Sequence, residues 1–139
     1  APYFVMRRDM HIKSVLARLF EFVVPYHVNT GGDRSIHDAA ARARTVGTGV
    51  VTGKSLLALR AISLRAKRAL PSIRARVLYL QSREDNRLSE RDAVAQFGRI
   101  GSTNKQQRWL TGCGHIITVD YCKDDVARQV VAWFSPEFG

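Results

Sequence analysis

The chain has 139 residues, of which 45% are hydrophobic and 24% charged, with 22 Lys and Arg against 12 Asp and Glu for a formal net charge of +10. This is ordinary globular composition at a length near the commonest for one domain with one core, and no stretch reaches the roughly 18 to 20 consecutive apolar residues that a membrane span requires. The positive balance would attract phosphate, nucleic acid or anionic lipid, but it permits such partners without requiring one.

Two cysteines, Cys113 and Cys122, are too few for a disulfide framework, and nothing in the sequence marks an oxidising compartment. Reduced thiols are therefore expected. The opening "APYFVMRRDMHIKS" lacks the long apolar centre of a secretory signal, and the expectation is a soluble chain, with a cytoplasmic setting favoured.

In chain order, residues 12 to 24 ("IKSVLARLFEFVV") place Val15, Leu16, Leu19, Phe20 and Val23 at spacings of three and four, the stripe of an amphipathic helix that Pro25 would end. From Tyr26 to Gly53 the pattern weakens. Turn residues in "NTGGD" and "TVGTG" surround the alanine-rich piece "HDAAARAR", and this region reads as a mobile excursion and not as part of a sheet. From Lys54, "KSLLALRAISLRAKRAL" carries Leu59, Ile62, Ala66 and Ala69 along one helical face, and Pro71 closes it. "RVLYLQS", residues 76 to 82, has the length of a buried strand, followed by the turn "REDNR".

"SERDAVAQFGRI" predicts a helix with Ser89 as N-cap and an acidic first turn at Asp92, ended by Gly98 or Gly101. A second strand, "QQRWLTG", leads to the loop "GCGHIITVD", and "KDDVARQVVAWF" predicts a last helix with Val126, Val130 and Trp133 inward. Strand, helix, strand, helix is the order of a parallel crossover, so the fold class is α/β. In such sheets ligands bind beyond the carboxyl ends of the strands. Two loops fall at that edge: one carries Glu84 and Asp85, the other His115, between Gly112 and Gly114 on one side and Asp120 on the other. A carboxylate accepting the Nδ1 proton fixes the imidazole tautomer and leaves Nε2 free to take a proton from a hydroxyl.

These residues carry a family resemblance. "LPSIRARVLYLQSREDNRLS" resembles the α/β-hydrolase segment in which a helix, a short approach and a strand deliver the acid of a triad, and "WLTGCGHIITVDYCKDDVARQVVAWF" resembles the closing segment that delivers the base. Gly114 to Asp120 are similar to the "SGHVITLD"-like turn of the carboxylesterase and monoacylglycerol-lipase branch. The resemblance covers about residues 53 to 139. It implies a partial α/β-hydrolase fold: the last parallel strands and helices in residues 53–139, with part of a helical cap or lid in residues 1–52. It also implies that Asp85 is the acid and His115, 30 residues on, the base, with Glu84 as the rival carboxylate.

The nucleophile of that family sits in G-x-S-x-G on a strand-to-helix elbow. No such motif occurs in the chain. "GKSLL" has Leu57 where the second glycine belongs, so Ser55 reads as a residue of a helix N-terminus, and the nucleophile-bearing half is expected to be absent. The implied function is the C-terminal segment of a serine hydrolase cleaving carboxylic esters, acylglycerols among them, and inactive alone. Its partners would be an ester or lipid substrate, and either the missing half or a second copy covering exposed apolar faces. No cofactor is implied. The alternative is a non-catalytic, truncated hydrolase-like module with a binding or structural role, within an RNA-containing or multi-subunit assembly given the excess charge.

Other patterns carry less. "GTGVVTGKS" fails the phosphate-loop spacing because Thr48 stands where the first glycine should be. Cys113, His115 and Cys122 lack the fourth ligand of a structural zinc site, and His11, His27 and His37 are scattered, so no metal is expected. The basic residues, among them Arg42, Arg44, Arg60, Arg65, Lys67, Arg68, Arg74 and Arg76, lack the interleaved aromatics of a single-strand platform, and nucleic acid is not expected as a partner. Asp120 is expected to orient the loop or cap the final helix.

Overall fold

The structure, a computed structural model, describes residues 12, 16, 26–28, 35–45 and 50–135. The helix expected over 12 to 24 lies outside these residues except at Ile12 and Leu16, which are helical and exposed. In chain order the elements are β1 (His27–Val28), α1 (Ala39–Arg44), β2 (Val50–Val51), α2 (Gly53–Ala69), a 3-10 turn (Leu70–Ser72), β3 (Val77–Ser82), α3 (Glu90–Arg99), β4 (Lys105–Leu110) and α4 (Lys123–Phe134).

The region from Tyr26 to Gly53 does contribute to a sheet, contrary to expectation. β1 and β2 pair antiparallel, with His27 opposite Val51 and Val28 opposite Val50. Three of these four residues are valines, which suit a pleated ladder, but two residues per strand are too few for an alternation to show in sequence.

The second sheet organises the rest. β3 and β4 run parallel and pair from Val77 opposite Lys105 to Ser82 opposite Leu110. α3 connects them and packs on one face of the ladder: Tyr79 and Val77 of β3 and Trp109 of β4 join Leu70, Leu88, Ala93, Phe97 and Ile100 in one core. Leu80 and Leu110 point the other way, into a second core with Cys113, Ile117, Cys122 and Val126 of the following loop and α4. Successive strand residues thus serve opposite faces, and both faces are apolar because each carries a helix.

Local chemistry sets the helix ends. Ser89 caps α3, its hydroxyl accepting from the Asp92 N–H at 3.1 Å and donating to Asp92 Oδ2 at 2.7 Å. At the other end Lys105 donates to the carbonyls of Phe97 and Ile100 at 3.1 and 2.6 Å, which satisfies acceptors the helix leaves free. Thr52 and Ser55 form a reciprocal capping box at the start of α2.

Two inward faces differ from expectation. α2 buries Leu56 and Ser63 and hands over to buried Leu70, whereas Leu59 is 36% and Ile62 65% exposed. The helix carries apolar residues on more than one side, so periodicity alone did not select the stripe that meets the core. On α4, Val126 is buried but Val130 is 38% exposed. Among the described residues the ladder beneath it has two strands, too narrow to cover the whole helix. Trp133 is half-buried, with the Arg76 guanidinium 4.3 Å from its ring centroid.

Gly101 marks a close approach between the end of α3 and the 3-10 turn. Its N–H donates to Leu70 O at 3.0 Å, and a Cβ there would stand 2.0 Å from the carbonyl oxygen of Pro71. Because the obstruction is backbone, Gly101→Ala must displace the 3-10 turn from the end of α3. The expected cost is about 1–3 kcal/mol, read as a lower urea midpoint with unchanged slope.

Candidate active site

The register of β3 and β4 brings Ser82 level with Leu110, so the loops after both strands leave from one rim. Just beyond, Arg83 N–H donates to Leu110 O at 2.9 Å, and Ser82 Oγ donates to the carbonyl of Cys113. Glu84 Oε1 then accepts from the Gly112 N–H at 2.6 Å. Gly112 has φ +78°, a left-handed conformation that turns the chain back over the rim and that a side chain would strain.

Asp85 and His115 meet across this rim. His115 Nδ1 lies 2.8 Å from Asp85 Oδ2, with the Asp85 side chain 1% and the His115 side chain 21% exposed. Asp85 is held from three further directions: Gln81 Nε2 donates to Oδ2 at 2.6 Å, and the N–H groups of Arg87 and Leu88 donate to Oδ1 at 2.7 and 3.0 Å. Burial pushes its carboxyl up, but the hydrogen bonds from His115, Arg87 and Leu88 outweigh that and hold it below its ordinary value. An ionised Asp85 only accepts, so the proton on the short contact belongs to His115 Nδ1, and Nε2 is the free nitrogen. Tyr79, buried beneath, has its hydroxyl pushed up to about 12 by burial and by the charge of Asp85. It stays a neutral phenol.

The rival carboxylate is placed elsewhere. Glu84 faces Gly112 and lies 3.5 Å from His37 Nδ1. Ser55 is at the N-terminus of α2, exposed, with its hydroxyl donating to Thr52 O at 2.8 Å, as a capping residue does. Of the phosphate-loop-like stretch, residues 46–49 lie outside the described residues.

The expectation for the cysteines is overturned. Cys113 and Cys122 form a disulfide, with their Cα atoms 5.8 Å apart. The turn that carries His115 folds back on itself before α4 begins, which brings two residues nine apart in sequence into contact. Joined in this way they are not metal ligands, and the reason for favouring a reducing compartment falls with the reduced thiols. An even pair flanking a Gly-His turn was the available signal.

Asp120 is more than a loop or helix-cap residue. It is fully buried, and its carboxylate accepts four backbone N–H bonds: Gly114 at 2.7 Å and His37 at 2.8 Å on Oδ2, Asp38 at 2.8 Å and Tyr121 at 2.9 Å on Oδ1. Burial pushes this carboxyl up, but the four donors pull it down further, to about 2. The distant partners, His37 and Asp38, had no signal in the sequence, nor did Gln81, which reads as a strand residue.

Comparisons with known proteins bear on the fold. No protein-family model and no curated protein sequence matches the chain. Solved structures do. A monoacylglycerol lipase from Paleococcus ferrophilus is 18% identical, with 95% of this chain and 55% of that one aligned at a TM-score of 0.76. A structure from work on LipS and LipT, two metagenome-derived lipolytic enzymes, is 23% identical over 94% of this chain and 50% of that one, at 0.76. A soluble variant of the monoglyceride lipase from Saccharomyces cerevisiae, in complex with a substrate analog, is 15% identical over 95% and 52%, at 0.68. The chain has a partial α/β-hydrolase fold, and it spans about half the length of the structures it matches.

Two measurements check this account. Asp120 has a lowered folded-state pKa, so its contribution to stability is complete above the ordinary carboxylate value of 3.8 and is lost as pH falls through about 2. Asp120→Asn is expected to cost about 3 kcal/mol at neutral pH and to flatten that acid limb, read by urea unfolding across pH. Reduction of Cys113–Cys122 opens a short loop and is expected to cost about 3 kcal/mol, with no free thiol in the unfolded, unreduced chain.

Proposed function

We propose that this chain supplies the general base and the orienting acid of a serine hydrolase acting on carboxylic esters of the acylglycerol type, with the nucleophilic serine contributed by residues outside this sequence. The observation that carries the reading is the 2.8 Å contact between His115 Nδ1 and a buried, ionised Asp85 at the shared rim of two parallel strands. The likeness to structures described as monoacylglycerol or monoglyceride lipases supports the substrate class. The absence of G-x-S-x-G from the 139 residues supports a nucleophile from elsewhere.

The chemistry follows from which nitrogen is free. Asp85 keeps the proton on Nδ1, so Nε2 accepts the proton of the serine hydroxyl as its oxygen attacks the ester carbonyl carbon. The imidazolium formed is steadied by the ionised Asp85 and gives its proton to the departing alcohol as the acyl–oxygen bond breaks. Nε2 then takes a proton from water, whose oxygen attacks the acyl-serine. Return of that proton to the serine oxygen releases a carboxylic acid and restores the start. Gln81 and the N–H groups of Arg87 and Leu88 keep Asp85 from rotating between these steps.

In a protein that carries this chain together with a nucleophile elbow, His115→Ala and Asp85→Asn are each expected to lower kcat for a monoacylglycerol or a p-nitrophenyl ester by about 10⁴-fold. KM should change far less. A near-wild-type rate for either variant would remove that residue from the mechanism.

A further inference from the structure

The residues Ser35, Ile36, His37 and Asp38 fall in the stretch expected to belong to a cap, yet their contacts are with the two loops of the rim. Ser35 touches both. Its carbonyl accepts from the Ile116 N–H at 3.0 Å, one residue beyond His115. Its hydroxyl donates to Asn86 Oδ1 at 3.2 Å and accepts from Arg87 Nε at 3.4 Å, the two residues that follow Asp85. Two residues on, the N–H groups of His37 and Asp38 close on the carboxylate of Asp120, each at 2.8 Å, and Asp120 also grips Gly114, which precedes His115. Ile36 between them is 3% exposed, and its carbonyl accepts from Arg42 of α1 at 3.1 Å.

The rim loops are joined independently at their roots, by the ladder, by Ser82 to Cys113 and by Glu84 to Gly112. Beyond the roots, Ser35 is a third body bonded to both loops, at residues next in sequence to His115 on one and to Asp85 on the other. A hydrogen-bonded pair tolerates displacement of only about 0.5 Å before its alignment degrades, and a misplacement of about 1 Å can cost 10²-fold in rate. The second attachment, through Asp120, fixes the same segment to the same loop, so the segment cannot slide along the rim while either holds.

We propose that Ser35–Asp38 is a clasp that sets the spacing of the acid and base loops, with Ser35 and Asp120 as positioning residues, so that seating of this segment controls whether His115 is aligned on Asp85. The inference rests on the reading of Asp85 and His115 as acid and base. It adds that this alignment depends on a segment about 50 residues upstream of Asp85 and about 80 upstream of His115 and Asp120. The segment runs directly into Asp38, the N-cap of α1, whose side chain accepts from the N–H groups of Ala40 and Ala41. Movement of α1 is therefore passed to the rim through covalent chain.

The test uses the 139-residue chain labelled with 15N-histidine, with His115 assigned through His115→Gln. At mildly alkaline pH the nitrogen shifts report which ring nitrogen of His115 carries the proton, a quantity that general loss of stability in a folded protein does not move. The wild-type chain should hold the Nδ1–H tautomer. Ser35→Ala and Asp120→Asn should each shift the tautomer ratio toward Nε2–H by roughly tenfold, and Ser35→Thr, which keeps the hydroxyl, should restore it. Gly101→Ala, which lies at the α3 turn, should leave it unchanged. If Asp85→Asn alters the ratio but Ser35→Ala and Asp120→Asn do not, the clasp is overturned and the acid–base pair stands. If Asp85→Asn has no effect, the pair itself is wrong. Should Asp120→Asn fail to fold, Ser35→Ala against Ser35→Thr decides the matter alone.

Discussion

The site depends on the level pairing of Ser82 with Leu110 at the ends of two parallel strands. Parallel strands whose last residues are opposite one another deliver their loops to the same edge, and a shift of the ladder by one residue would also turn every side chain to the other face. Here that shift would send Tyr79 and Val77 away from α3 and Leu80 away from the core under α4. The hydrophobic pattern that holds the helices in place is therefore also what holds Asp85 and His115 within 2.8 Å.

Around this register the polar groups are arranged by an unequal division of labour. Asp85 is buried and saturated, with donors on both oxygens, whereas His115 keeps part of its ring exposed. A carboxylate in that state orients and stabilises but does not exchange protons readily, and the imidazole that leans on it has its second nitrogen outside that contact. Asp120 repeats the same logic for backbone alone. Four N–H donors converge on a carboxylate with no access to water, and they belong to two segments distant in the chain. The disulfide between Cys113 and Cys122 adds a covalent limit to how far the turn between them can open. Strand register, carboxylate hub and disulfide act on one stretch of ten residues, which also carries the partly exposed imidazole.

The outward faces are different in kind. Ile62 on α2 and Val131 and Phe134 on α4 are large, apolar and more than 60% exposed. Helices ordinarily bury such stripes, and a two-stranded ladder offers too little surface to do so. The chain spans about half the length of the α/β-hydrolase structures it resembles, in which the same elements belong to a larger whole.

Much of this was legible in residue order. The lengths of "RVLYLQS" and "KDDVARQVVAWF", the N-cap at Ser89 and the Gly-His turn are local features, set by propensity, capping and turn chemistry within a few residues, and they located the parallel unit and both loops of the rim. The choice of Asp85 over Glu84 came from resemblance, and their contacts then separated the two, because adjacent residues in a turn point in different directions and text does not record direction. What only the tertiary structure decided were relations across long separations or between equivalent alternatives. These are the stripe of α2 that faces inward, the pairing of His27–Val28 with Val50–Val51, the joining of Cys113 to Cys122, and the convergence of Ser35, His37 and Asp38 on the rim. Each depends on where a second segment arrives in space, and a one-dimensional pattern carries that information only when both partners repeat with a recognisable period.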